Sequence, residues 1–271
     1  MKLSKKDEEI ILRSDHQFIE IDGIEYFCKY AEGGGIELVA NKLARLIGIN
    51  CSKDYLVNIN GELYYLSYSF YNLGNFKRGD EFNVKNSLKS NSLYDLWLSF
   101  EDEYPDECEK LMYDLIKVFI FDIFLLNGDR HLGNFIVLNE NEKHKLFIYD
   151  NDNVFEDAFR VLLNAKMNSD DRLEKYSSIS LGGNTTLSME KNIEILEYFL
   201  ATSSKEFSNL VVEIYNKLTP EVVEAVFSEV EKEENITFDE KEYNMKLYRE
   251  NYRMITELLV ERGLIDGQRI H

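Results

Sequence analysis

At 271 residues the chain is long enough for one large domain or two lobes around a hydrophobic core. Hydrophobic residues make up 44%, and seventeen Tyr with seventeen Phe supply large buried surfaces, which excludes a disordered chain. Fifty acids against 31 bases give a net charge of −19. Such a field repels nucleic-acid backbones, and Lys2, Lys5, Lys6, Lys77 and Arg78 are too sparse to form a compensating patch.

Cys28, Cys51 and Cys108 are odd in number and widely separated, and the four histidines (16, 131, 144, 271) show no metal-ligand spacing either. A reducing, cytoplasmic setting is the expectation. The start MKLSKKDEEI has no apolar core of a signal peptide, and Asp122 breaks the longest apolar run, Val118–Leu126. Neither a leader nor a membrane span is expected.

In chain order, Glu9–Arg13 and Gln17–Ile21 read as strands around Ser14-Asp15-His16, and Asp22-Gly23 makes a tight turn into Glu25–Tyr30. Glu32-Gly33-Gly34-Gly35 breaks the strand. The spacing of Ile36, Val39, Ala40, Leu43 and Ile47 predicts a helix stopped by Gly48. Tyr55–Asn58 and Leu63–Phe70 flank Asn60-Gly61 as a second hairpin. After Asn72 the pattern changes. A polar stretch, Gly74–Ser92, leads to helices over Leu93–Phe100 and Cys108–Leu126, then short strands over Phe135–Leu138 and Leu146–Tyr149. Further helices are expected over Glu190–Thr202, Glu206–Lys217, Pro220–Glu231 and Glu240–Arg262, with Thr219-Pro220 as a helix start. The expected class is α+β, a bilobal protein-kinase-like fold. A small antiparallel-sheet N-lobe with one helix spans 1–72, and a larger, mainly helical C-lobe spans 73–271.

The chemistry centres on Asn127-Gly128-Asp129-Arg130-His131-Leu132-Gly133-Asn134, followed by Asp150 at the end of Phe147-Ile148-Tyr149. Asp129 alone could be a turn residue, Asn134 a loop residue and Asp150 a cap. Together they form the set that phosphoryl transfer requires: one carboxylate to orient a hydroxyl, and an amide oxygen with a second carboxylate to hold Mg²⁺. The five-residue spacing from Asp129 to Asn134 matches that of a protein-kinase catalytic loop. Arg130 pairs either with an acid that positions Asp129 or with a substrate phosphate, and His131 packs within the loop. Upstream, Lys29 ends a strand where a phosphate-binding lysine belongs. Glu37, eight residues on, is placed to hold it as an ion pair. Order along the chain makes Ser67, Tyr68 and Ser69, within Leu66–Phe70, the hinge for adenine.

These motifs, with Ile148-Tyr149-Asp150-Asn151-Asp152 and the Glu37 helix running on to Leu43-Ala44 and Gly48-Ile49, resemble the HipA-like serine/threonine kinases over roughly residues 25–155. The resemblance implies ATP with Mg²⁺ and transfer of the γ-phosphoryl to a protein Ser or Thr. It further implies a toxin or effector kinase with an antitoxin, or a partner that completes the N-lobe. No glycine-rich loop precedes Lys29. Ser14-Asp15-His16 is the candidate phosphate-facing turn, with Ser14 a donor or autophosphorylation site, and Ser180–Thr186 reads as a helix-joining loop. Only about two dozen residues precede the Lys29 strand, so the N-terminal subdomain of full-length members is expected to be missing. The alternatives are a small-molecule kinase of aminoglycoside type, a phosphoinositide kinase, and a pseudokinase or binding module that needs a partner.

Overall fold

The computed structural model describes residues 3–14, 17–31, 35–82, 93–141, 143–155, 159–160, 186–187, 189–202 and 205–266. Helix α1 (Lys5–Ile11) occupies the stretch that begins the expected strand Glu9–Arg13, so that expectation is corrected. The cause is a capping box, in which Ser4 Oγ accepts from the Asp7 N–H while the Asp7 carboxylate accepts from the Ser4 N–H. Ile11 is then buried on the first sheet, with Leu3 and Ile10 packed beside it.

That sheet is antiparallel. Strands β1 (Gln17–Ile21) and β2 (Ile24–Tyr30) are followed by helix α2 (Ile36–Leu46) and a two-residue strand, β3 (Asn50–Cys51), before β4 (Asp54–Ile59) and β5 (Glu62–Tyr68). The spatial order is β1-β2-β5-β4. Asp22 and Gly23 (φ 51° and 76°) and Asn60 and Gly61 (φ 55° and 94°) all lie in the left-handed region that two-residue hairpins demand. Side chains alternate across the sheet. Ile19, Ile21, Tyr26, Cys28 and Leu66 form a small core with Ile11. Phe27, Lys29, Tyr65 and Ser67 face a cleft on the other side. Helix α2 begins at Gly35, whose φ of 87° suits glycine and whose Cβ would lie 2.4 Å from the Leu56 side chain.

The second part of the chain is built on α4 (Cys108–Leu125), which follows α3 (Leu93–Glu103). Helix α4 is apolar nearly all round, as a central helix must be, and its interior charge is the fully buried Asp122. Strands β6 (Phe76–Arg78), β7 (Phe135–Glu140) and β8 (Lys143–Ile148) form a second sheet in the order β3-β8-β7-β6. Strand β3 runs parallel to β8, with Asn50 opposite Phe147 and Cys51 opposite Ile148, so the segment just after α2 is stitched to the strand that leads into Asp150. Neither β3 nor β6 is anticipated from sequence. A short pair, β9 (Phe159–Arg160) and β10 (Thr186–Leu187), precedes helices α5 (Met189–Thr202), α6 (Lys205–Lys217), α7 (Pro220–Glu234) and α8 (Lys241–Glu261). Helices α6 and α8 pack on α4, α5 packs on α8, and α7 packs on both α8 and α2. Among the described residues, no helix is long and apolar enough to cross a membrane.

Candidate active site

The expected site residues converge on one cleft of about 450 Å³, a ligand-sized volume. Lys29, Glu37, Ser67, Tyr68, Ser69, Asp129, Asn134 and Asp150 all line it. Lys29 is 6% exposed at the end of β2, and its Nζ lies 2.8 Å from Glu37 Oε2 on α2. The same nitrogen donates to Asp150 Oδ1 at 3.0 Å and to Asp152 Oδ2 at 2.8 Å. Burial works to lower the Lys29 pKa, but the three carboxylates, Glu37 foremost, outweigh it and hold the ammonium charged well above the ordinary lysine range. Burial likewise pushes Glu37 up to about 7, against the pull of Lys29.

The candidate catalytic loop follows α4. Leu126 caps that helix in the left-handed conformation, and Asn127 turns back so that its Nδ2 donates to Asp122 Oδ1 at 2.8 Å. Asn127 Oδ1 accepts the Asp129 N–H at 3.1 Å, which sets the backbone of the candidate base. Asn134 Nδ2 donates to the Asp129 carbonyl at 2.9 Å, so Oδ1 is the group left for a cation. Arg130 does not reach for substrate: its guanidinium is 1% exposed and pairs with both Asp122 oxygens at 2.8 and 3.1 Å. It also donates to the carbonyls of Asn134 and Tyr149 and to Asn151 Oδ1, tying the loop to the strand end that carries Asp150. His131 Nδ1 accepts the Gly133 N–H at 3.0 Å, a local packing role. Asp150 sits at φ 57°, which turns the chain sharply after β8.

The residue types fit a divalent cation. Carboxylate oxygens of Glu37, Asp150 and Asp152 lie within 4.8 Å of one another, and Asn134 adds an amide oxygen to the same cleft. All three of those acids now hold Lys29. At the other end, Ser67, Tyr68 and Ser69 line the cleft with Phe27, Phe70, Tyr71 and Tyr149. The Tyr68 N–H is already spent on the Lys53 carbonyl at 2.7 Å and the Ser69 N–H on the Glu25 carbonyl at 3.0 Å. Aromatic faces therefore supply more of this end than the expected hinge backbone does.

Asp152, Asn151, Asn41 and Asp122 are polar residues of this assembly that the sequence reading does not assign. Asp122 left one local signal, an acid inside an apolar helix. Asn151 and Asp152 stand in the Ile148–Asp152 motif without an assigned role, and Asn41 left no signal beyond ordinary polarity. Asp15, His16, Gly33, Gly34 and residues 180–185 lie outside the described residues, while Ser14 is buried.

A small antiparallel sheet bearing a buried Lys–Glu pair, joined to a helical lobe bearing Asp129, Asn134 and Asp150, defines a kinase-type phosphotransferase. The model of the HipA-like kinase family matches residues 21–233, and the chain belongs to that family. Among solved structures it is similar to the proinflammatory kinase CtkA of Helicobacter pylori, with a TM-score of 0.64 and 15% identity over 91% of this chain and 93% of that one. It is also similar to HipA of the Shewanella oneidensis MR-1 toxin–antitoxin system, solved with HipB and operator DNA. There the TM-score is 0.52 and the identity 10%, over 90% of this chain and 60% of that one. At these identities the likeness is one of fold. Comparison with curated proteins finds no match.

Proposed function

We propose that the cleft binds ATP with Mg²⁺ and transfers the γ-phosphoryl group to a Ser or Thr of a protein. The observation that carries this reading is Lys29, which is buried, paired with Glu37 and in contact with Asp150 across 121 positions of sequence. In this reading Asn134 and Asp150 hold the metal, which when bound neutralises charge on the transferring phosphate. Asp129 receives the proton of the acceptor hydroxyl. Lys29, oriented by Glu37, would hold the α- and β-phosphates, and Asp150 would serve as a metal ligand. Adenine lies along Ser67, Tyr68 and Ser69 against Phe27 and Tyr149. Residues 1–72 are the nucleotide-binding lobe and 73–271 the lobe of the catalytic loop. A protein acceptor and a toxin-like role with an antitoxin rest on family membership, the cytoplasmic setting on the cysteine usage, and an N-lobe-completing partner on the missing glycine-rich loop.

Incubating the chain with γ-labelled ATP, Mg²⁺ and candidate acceptors tests this. Asp129→Ala and Asp150→Ala are each expected to lower label transfer by about 10²-fold or more. Label transfer retained in both variants overturns the reading. Transfer only to an aminoglycoside or an inositol lipid would move the enzyme to a small-molecule class, and no binding of Mg·ATP would make it a pseudokinase.

A further inference from the structure

Helix α2 carries Glu37 and, besides the Lys29–Glu37 pair and the Arg45 contacts to Asp54 and the Ser52 carbonyl, meets the rest of the molecule through polar contacts of two kinds. On the surface, Lys42 Nζ lies 2.8 Å from Glu229 Oε1 and 2.5 Å from Glu233 Oε2, both on α7. In the interior, Asn41 Oδ1 accepts from Asn151 Nδ2 at 2.7 Å. Asn41 Nδ2 donates to Asp54 Oδ2 at 2.8 Å and to the Tyr65 hydroxyl at 2.9 Å. Asn151 in turn gives its backbone N–H to Glu37 Oε1 at 3.2 Å, and its Oδ1 accepts from Arg130. Asn41 and Asn151 are 2% and 0% exposed. Neither has a part in the phosphoryl-transfer scheme above.

We propose that Asn41 and Asn151 are positioning residues. They form a buried amide relay that holds α2, and with it the Lys29–Glu37 pair, in register with Arg130 of the catalytic loop. Apolar burial of α2 is non-directional, whereas each hydrogen bond of an amide relay is met in one narrow geometry. Moving α2 outward strands the Asn151 Nδ2, the Asn151 N–H and the Asn41 Nδ2 in a dry interior, where each unmet donor carries a desolvation penalty. The relay ties the ends of the site together: Glu37 at one side, the segment Asp150-Asn151-Asp152 in the middle, and the loop bearing Asp129 and Asn134 at the other.

The inference rests on the phosphotransferase reading only for its activity arm. In the full chain, Asn41→Leu keeps the volume and deletes the relay. Amide hydrogen exchange over residues 36–46 is expected to quicken by about tenfold or more, with residues 108–125 unchanged. Turnover of Mg·ATP, with water or the chain itself as acceptor, is expected to fall about tenfold in kcat with KM for ATP within about threefold. Asn41→Asp sets a second carboxylate beside Asp54 and should be worse still. Adding Asp54→Asn exchanges donor and acceptor roles and should restore α2 protection and kcat to within about threefold of wild type. Unchanged α2 exchange in Asn41→Leu overturns the proposal, as does a doubly substituted chain no better than Asn41→Asp. If Asn41→Leu does not fold, the comparison of Asn41→Asp with the double variant decides alone. A wild-type chain that turns over no ATP would refute the functional reading and leave the exchange arm to judge the relay.

Discussion

Two buried charge clusters set the electrostatics of individual residues. In the first, burial pushes Glu37 up to about 7 from an ordinary 4.5, with Lys29 opposing and Asp150 and Asp152 adding to the rise. The folded chain therefore binds this proton more tightly than the unfolded one. Its stabilising contribution is complete below about pH 4.5 and is lost as pH rises through about 7. In metal-free buffer the Tm of wild type is expected to fall relative to that of Glu37→Gln between pH 5 and 8. A Tm difference that stays constant over that range would refute the assignment. In the second cluster, Asp122 is raised by burial and pulled down by Arg130. Removing one partner leaves a buried charge alone, so Asp122→Ala is expected to cost about 3–5 kcal/mol in denaturant unfolding. Replacing both, with Asp122→Leu and Arg130→Met, is expected to cost less than the single change. From sequence, Arg130 has two candidate partners, an internal acid and a substrate phosphate. Its partner stands eight positions earlier, an acid inside an apolar helix whose sequence marks the break but not the pairing.

Elements differ in how much of themselves they announce. The two hairpins are legible because Asp22-Gly23 and Asn60-Gly61 can take positive φ cheaply, and α2 is legible because its apolar face repeats at helical spacing. Helix α1 is misread because Glu9–Arg13 mixes apolar and charged residues too briefly to separate the two periods, and its cap lies further upstream. Ser4→Ala should remove that cap at about 1 kcal/mol, measurable by chemical denaturation. Strand β3 is two residues long and exists only because β8 accepts it. The turn Gly79–Glu81 is similarly silent in sequence yet sits hard against the candidate catalytic loop. A Cβ at Gly79 would lie 2.3 Å from the Leu132 carbonyl oxygen and 2.4 Å from the Phe135 ring. Gly79→Ala is therefore expected to destabilise by about 1–3 kcal/mol and to lower turnover by displacing Leu132–Asn134. Turnover equal to wild type in a folded Gly79→Ala chain would show that the loop adjusts freely.

Across the whole molecule, the lobes are joined by the parallel pairing of β3 with β8, by packing of α2 on α7, and by the buried relay through Asn41 and Asn151. The Lys42 contacts to Glu229 and Glu233 look like a clamp, but both carboxylates are about half exposed. Lys42→Ala should change unfolding free energy by less than about 1 kcal/mol, and raised salt should erase most of that. The class is legible in local patterns: the spacing of Asp129, Asn134 and Asp150, the strand-end Lys29, the hairpin turns and the helical tail are readable because backbone periodicity and turn chemistry act over a few residues. The tertiary structure alone decided which acids surround Lys29, that Arg130 faces inward, and that amides at 41 and 151 join the lobes. Those contacts span 8 to 123 positions and depend on burial and register, which no local window of sequence contains.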